Sequence, residues 1–211
     1  GAFDVTVGPL VNLWGFGATE RRESEPSDEQ IQTLLSQVGF RKLHVRTSPP
    51  ALRKDVPELA IDLSAIAKGH GVDRVAKELA EVGISNYFVE IGGEVATRGF
   101  RADGKRWQVG IERPTELEQS LHSVVGLSGE SMATSGDYRN YFVVSGKRFS
   151  HTIDAVTGRP VHHQLASASV IADNCALADA LATGMMALGP ERALELAERQ
   201  HWTVMLIIRT D

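Results

Sequence analysis

A run of small and apolar residues carrying one carboxylate and one hydroxyl, Cys175-Ala-Leu-Ala-Asp-Ala-Leu-Ala-Thr-Gly-Met-Met-Ala-Leu-Gly189, constrains this chain more than any other segment. Its composition predicts a helix, with Leu177, Leu181, Met185 and Leu188 at helical spacing on a side turned toward a core. Asp179 and Thr183 stand four positions apart, about one turn, so they stack on one face. Two oxygen ligands among alanines suit a hard cation such as Mg²⁺, with substrate phosphates completing its shell. Taken alone, the pair reads more readily as a capped or solvated polar face.

The length of 211 residues suits one large domain or two small ones, and we expect a single domain over 1–211. A net charge of −5 leaves no electrostatic footprint for nucleic acid or an anionic membrane. The single cysteine, Cys175, excludes an internal disulfide framework and a cysteine-based zinc cluster. No apolar run approaches the ~18 residues of a membrane-spanning helix. Gly1 to Pro9 begins without a polar lead-in, and the buried-strand signal Val204-Met-Leu-Ile-Ile208 ends three residues before the terminus. The expectation is a fragment, with N-terminal and C-terminal segments and any leader lying outside these residues.

The first ten residues read as loop or strand before the apolar stretch Leu10–Phe16, and Thr19–Ser27 as a charged, flexible segment. Ser27 and Gln30 form a capping-box signature for a helix carrying Ile31, Leu34, Leu35 and Val38, with Gly39 as its stop. His44–Arg46 reads as a strand, Ser48-Pro-Pro50 as a turn, and Ala60–Leu63 as a strand feeding the loop Ser64–Gly71. Backbone N–H groups of that loop offer a site for phosphate oxygens. A helix follows, with Val72, Val75, Ala76, Leu79 and Val82 inward. Strands are predicted at Tyr87–Ile91, ending in Gly92-Gly93 where a ligand or backbone can approach, and at Trp107–Ile111 after a possible hairpin turn at Asp103-Gly104. Further strands are predicted at His122–Leu127 and Ser167–Ala172. Met132–Arg139 reads as a polar site loop, and Tyr141–Phe149 as a hairpin through Ser145-Gly146. Pro190 opens a last helix with Leu194 and Ala197 inward. Helices and strands mix without βαβ alternation, so the fold class is α+β, with mixed, largely antiparallel sheets and packed helices.

Four segments together resemble the ApbE family of FAD:protein FMN transferases: Phe3-Asp-Val-Thr-Val-Gly-Pro-Leu10, Asp62-Leu-Ser-Ala-Ile-Ala-Lys-Gly69, Ser135-Gly-Asp-Tyr138 through Ser150-His-Thr-Ile-Asp-Ala-Val-Thr-Gly-Arg-Pro160, and Ala178-Asp-Ala-Leu-Ala-Thr183. The resemblance implies a T-fold-like architecture and a Mg²⁺-dependent enzyme. Such an enzyme splits the pyrophosphate of FAD, joins FMN through its phosphate to a Thr or Ser hydroxyl of an acceptor protein, and releases AMP. By resemblance the metal is held by the backbone carbonyl of Ala65 and by Asp179 and Thr183, with Ala182 at the same centre. FAD contacts carry over to Ala2, Phe3, Asp4, Asp62, Lys68 and Ile153, and a catalytic role to His151. It also implies acceptors in membrane redox complexes of the NQR/RNF type, and a periplasmic lipoprotein anchored to the inner membrane. Family members carry a further Met-Gly-Thr segment over the isoalloxazine ring. These 211 residues lack it, so weak FAD affinity and low transferase activity are expected of them alone.

Phosphoryl transfer asks a protein mainly to position groups and stabilise developing charge. Histidine suits the base that takes the acceptor's proton, and His151 sits in a polar strand-end motif beside Asp154 and a tight turn. Each choice has a plainer rival. His151 could be a surface strand-end residue, and Asp4 and Asp62 could cap local turns. A lysine at position 68 is unfavourable near a helix N-terminus unless an anion sits nearby. Glu90, Asp137 and Tyr138 are weaker candidates for lining the site, and His162-His163 reads as an exposed loop. Two alternatives stay open, an FAD pyrophosphatase using water as nucleophile and a non-catalytic FAD-binding protein.

Overall fold

The computed structural model describes residues 2–17, 24–114, 120–138, 140–144 and 146–209. In chain order the elements are α1 (Gly8–Leu13), α2 (Asp28–Leu35), β1 (Leu43–Thr47), β2 (Pro50–Lys54), α3 (Ser64–Glu81), β3 (Tyr87–Ile91), β4 (Glu94–Arg98), β5 (Trp107–Glu112) and β6 (Leu121–Leu127). They continue with β7 (Ser131–Gly136), β8 (Tyr141–Val144), β9 (Lys147–Ser150), β10 (Ile153–Asp154), β11 (Arg159–Pro160), β12 (Leu165–Ala172), α4 (Cys175–Leu188), α5 (Pro190–Gln200) and β13 (Thr203–Ile208). Every strand pair is antiparallel, and the fold is α+β as expected. The chain divides into two units, Gly1–Leu63 with Asn140–His162 and Ser64–Arg139 with His163–Asp211.

The first unit closes around Leu10, Trp14, Ile31, Val38, Phe149 and Ile153. Trp14 stacks on Phe149 with centroids 5.5 Å apart, and its indole N–H donates to the Gly158 carbonyl at 2.8 Å. Gly158 turns with φ 70°, and a Cβ there would stand 2.7 Å from Ile31 Cγ2, so the turn requires glycine. The Ser27–Gln30 capping box forms as predicted. Three antiparallel hairpins complete the unit: β1–β2, β8–β9 and β10–β11. The expected Tyr141–Phe149 hairpin is β8–β9, although Ser145 lies outside the described residues, as do Gly1, 18–23, 115–119 and Arg139.

Four expectations change in this unit. Residues from Gly8 form a helix, because Pro9 sits in its first turn with a preset φ while Leu10 and Trp14 bury one face. Ala60–Leu63 is not a strand. Its Asp62 N–H donates to Val5 O at 2.7 Å, and among the described residues it pairs with no strand. α2 ends at Leu35, with Val38 buried beyond it, and β2 follows the Ser48–Pro50 turn although no strand was expected there.

The second unit is built on a five-stranded sheet in the order β13-β12-β7-β4-β3, with β5–β6 as a separate hairpin. One core layer gathers Leu165, Ala168, Val170, Ala182, Met185, Met186 and Ala193, and a second gathers Val72, Ala76, Val89, Ala96 and Cys175. Ser64–Gly71, expected to be a loop, forms the first turns of α3, so its early N–H groups belong to a helix start. Met132–Gly136, expected to be a site loop, lies within β7 in the middle of the sheet. Its hydroxyl-rich composition resembles a loop, yet Thr134 Oγ1 pairs with Ser169 Oγ at 2.7 Å, so a central strand accommodates it. β4 had no sequence signal beyond Gly92-Gly93, and β5 pairs with β6 rather than across the Asp103 turn. Val75, Val82, Leu177 and Leu194 are exposed where burial was expected, because each helix buries a narrower arc than its apolar residues cover.

Candidate active site

In the second unit α3 and α4 carry most of the expected metal-site residues. Asn174 caps α4 by accepting from the Leu177 N–H, and Asp73 of α3 accepts from the N–H groups of Cys175 and Ala176 at 2.8 and 2.9 Å. One carboxylate thus fixes the start of α4 against α3. Asp179 follows a turn later and is only 3% exposed, so it lies on the buried arc of α4 rather than on a separate polar face. Its Oδ2 accepts from the Gly69 N–H at 3.0 Å. In an α-helix that same N–H is directed at the carbonyl four residues back, which is Ala65. Ala65 and Gly69 thus lie one turn apart on α3, and Asp179 reaches that turn through the Gly69 N–H.

Thr183, one turn beyond Asp179, pairs its hydroxyl with Ser135 Oγ of β7 at 3.1 Å. Ala182 is fully buried in the core and offers no side-chain donor atom. The donors gathered here are hard oxygens, a carboxylate, a hydroxyl and a carbonyl, which fit Mg²⁺ and not a soft metal. Among the described residues no three His, Cys, Asp or Glu side chains gather into a metal cluster, so a cation at this place relies on that mixed set.

Lys68 sits next to Gly69 on α3, half-exposed, and its ammonium is ion-paired with Glu94 Oε1. The anion that a lysine at this helix start needs is thus supplied by the chain. Glu94 opens β4, is 1% exposed, and among the described residues its Oε2 has no hydrogen-bond partner. Burial pushes its carboxyl above the usual value; Lys68 opposes that shift and the negative charge of Asp179 adds to it. Sequence reasoning missed Glu94 and Ser135. The available signal for Glu94 was a carboxylate heading the otherwise uncharged strand start Val95-Ala-Thr97 directly after Gly92-Gly93. Glu90, singled out instead, is exposed and accepts from the Gly93 N–H at 2.6 Å, a local turn contact.

The first unit holds the remaining expected residues. His151 is half-buried beside Phe16, with ring centroids 6.4 Å apart, and its Nδ1 lies 3.0 Å from the Asn140 carbonyl. A carbonyl can only accept, so Nδ1 carries the proton and the neutral imidazole keeps its basic lone pair on Nε2. Asp4 accepts from the Thr6 N–H and hydroxyl and from the Phe40 N–H, which ties residue 4 to residue 40. The Asp62 side chain lies against Gly8, where an added Cβ would stand 3.2 Å from Oδ2. Ile153 points into the core, while Ala2 and Phe3 are half-buried. Asp137, a possible pocket residue, is buried and ion-paired with Arg209. His163 is not an exposed loop residue; its Nε2 bonds the Met186 carbonyl at 2.8 Å.

The ApbE family model matches residues 1–207. The chain belongs to the ApbE family. It is similar to the FAD:protein FMN transferase of Haemophilus influenzae, 49% identical over 214 residues, which cover 100% of the chain and 62% of that relative. The Vibrio cholerae enzyme of the same name is 46% identical, with 100% of the chain and 63% of the relative covered. The solved flavin transferase ApbE from Vibrio cholerae superposes with a TM-score of 0.89 at 45% identity, covering 100% of the chain and 66% of that structure. The apo form of the Pseudomonas stutzeri flavinyl transferase ApbE gives 0.87 at 41% identity, covering 100% and 65%. The ApbE chain described here therefore spans somewhat under two thirds of the length of these relatives.

Proposed function

We propose that the protein is a Mg²⁺-dependent FAD:protein FMN transferase that attaches FMN through a phosphoester to a Thr or Ser of an acceptor, with AMP as the second product. The observation that carries this reading is the buried Asp179 carboxylate, held by the Gly69 N–H of α3 and one helical turn from Thr183. Those groups would hold the cation, which when bound neutralises charge on the diphosphate. The Lys68 ammonium, anchored on Glu94 but half-exposed, has donors left for phosphate oxygens. His151 Nε2 takes the proton as the acceptor hydroxyl oxygen bonds to the FMN phosphorus. The bond from that phosphorus to the AMP oxygen breaks, and AMP leaves with the electron pair.

Family resemblance supports acceptors of the NQR/RNF type and a periplasmic address with a lipid anchor to the inner membrane. The test mixes the full-length protein with FAD, Mg²⁺ and a Ser/Thr-containing acceptor peptide, then reads peptide mass. An FMN adduct with AMP is the expected result. AMP and free FMN without adduct would replace the proposal by a pyrophosphatase. Tight FAD binding without cleavage, unaffected by chelator, would replace it by a storage protein.

A further inference from the structure

Lys68 and Gly69 are consecutive on α3, and each holds a buried carboxylate from elsewhere in the second unit. The Lys68 ammonium takes Oε1 of Glu94, and the Gly69 N–H takes Oδ2 of Asp179. One lysine accompanies two buried acidic groups, so one negative charge lacks a partner in this cluster. Glu94 Oε2 is buried and, among the described residues, has no hydrogen-bond partner, a state that buried carboxylate oxygens rarely keep unless an ion or water completes them. The Gly92 turn runs beside it: a Cβ there would make ordinary contacts, 3.8 Å from Oε2 and 3.5 Å from Lys68 Cδ.

We infer that Glu94 Oε2 is a further ligand atom for the divalent cation of the Asp179 site, the other oxygen being ion-paired with Lys68. The inference rests on the proposed cation site at Asp179. It adds a second acidic ligand to a set that otherwise has one. The rival role for Glu94 is that of a counter-ion for Lys68 and nothing more.

The two roles separate by titrating the full-length protein with Mn²⁺ alone and counting unbound Mn²⁺ by electron paramagnetic resonance. The variants are Glu94→Gln, Asp179→Asn and Lys68→Met, with circular dichroism as the fold control. The expected outcome is Mn²⁺ binding by the parent protein, loss in Asp179→Asn, and weakening by about tenfold or more in Glu94→Gln. Lys68→Met should bind Mn²⁺ at least as well as the parent, because a competing ammonium is gone. Parent-like affinity in Glu94→Gln overturns the inference while leaving the Asp179 site standing. Equal weakening in Glu94→Gln and Lys68→Met also overturns it, in favour of the counter-ion role. Parent-like affinity in Asp179→Asn, or a parent protein that binds no Mn²⁺, overturns the underlying site as well. If Glu94→Gln loses the fold, Glu94→Asp replaces it, since the shorter side chain withdraws Oε2 while keeping the charge.

Discussion

Gly69 and Asp179 lie 110 positions apart in the chain and share one hydrogen bond, from the Gly69 N–H to Asp179 Oδ2 at 3.0 Å. That bond exists because α3 and α4 approach closely enough for backbone to meet side chain. A Cβ on Gly69 would stand 2.4 Å from the Cys175 carbonyl oxygen and 2.8 Å from Ala176 Cα, both backbone atoms that cannot rotate aside.

Gly69→Ala is therefore expected to destabilise. The better helix propensity of alanine, worth up to about 1 kcal/mol, loses to an overpacking cost of about 1–3 kcal/mol from the helix–helix clash. Gly71, two residues along the same helix, is the control. Its Cβ would meet only Ile91 Cδ1 at 3.7 Å, an ordinary contact, so Gly71→Ala should stabilise by roughly 0.5–1 kcal/mol. Urea denaturation of both variants checks the opposite signs, and two changes of the same sign would refute the packing argument.

Asp73 offers a test of how α4 is held. Its two oxygens accept from the first two N–H groups of that helix, donors that no intrahelical carbonyl can satisfy. Asp73→Ala should cost about 1–2 kcal/mol, the upper range for losing a capping carboxylate. It should also lower cation affinity, because the α4 start that aims Asp179 loosens. Unchanged stability would show that water substitutes for the carboxylate at no cost.

Cys175 begins the same helix, fully buried. Burial foremost, with the negative charges of Asp73, Glu94 and Asp179 adding to it, pushes the thiol up to about 12. The native protein should resist a thiol reagent at pH 8 and label only on unfolding. Since the folded value lies above the ordinary 9.0, the folded state holds the proton more tightly. Stability should then fall as pH climbs from about 9 toward about 12, and Cys175→Ala should flatten that slope. A parent-like slope in the variant would assign the loss to other groups.

The sequence made the helices legible where caps and stops agree, as at Ser27 with Gln30 and at Pro190. It failed where partners come from far along the chain. Met132 to Gly136 looks like a loop because hydroxyl residues favour turns, and only its neighbours β12, with Ser169, and β4 make a central strand of it. Ala60–Leu63 looks like a strand because it is apolar, yet it has no ladder to join. At the candidate site, the one-turn spacing of Asp179 and Thr183 is legible, but alone it reads more readily as a polar face, and the resemblance is what singles the pair out. Glu94 has only a weak local signal, a carboxylate heading an uncharged strand start after Gly92-Gly93, which does not tell it from the exposed Glu90 four residues earlier. Burial decides between them, and burial here is set by α3 packing over the sheet.

His151 carries the last prediction. Its ring is oriented through Nδ1 by the Asn140 carbonyl and flanked by Phe16, so the orientation that presents Nε2 is set by backbone and packing. Removing a positioned base costs a rate factor of about 10²–10⁴, so His151→Ala in the full-length protein should lower kcat by that order while FAD affinity stays within about twofold. His151→Asn replaces the ring by an amide that can still donate to the Asn140 carbonyl but supplies no base, so it should be as slow as alanine. Added imidazole should restore part of the rate in the alanine variant, which leaves the space of the ring open. Recovery of activity in His151→Asn would mean that the residue acts by holding the 140–151 backbone together rather than by accepting a proton.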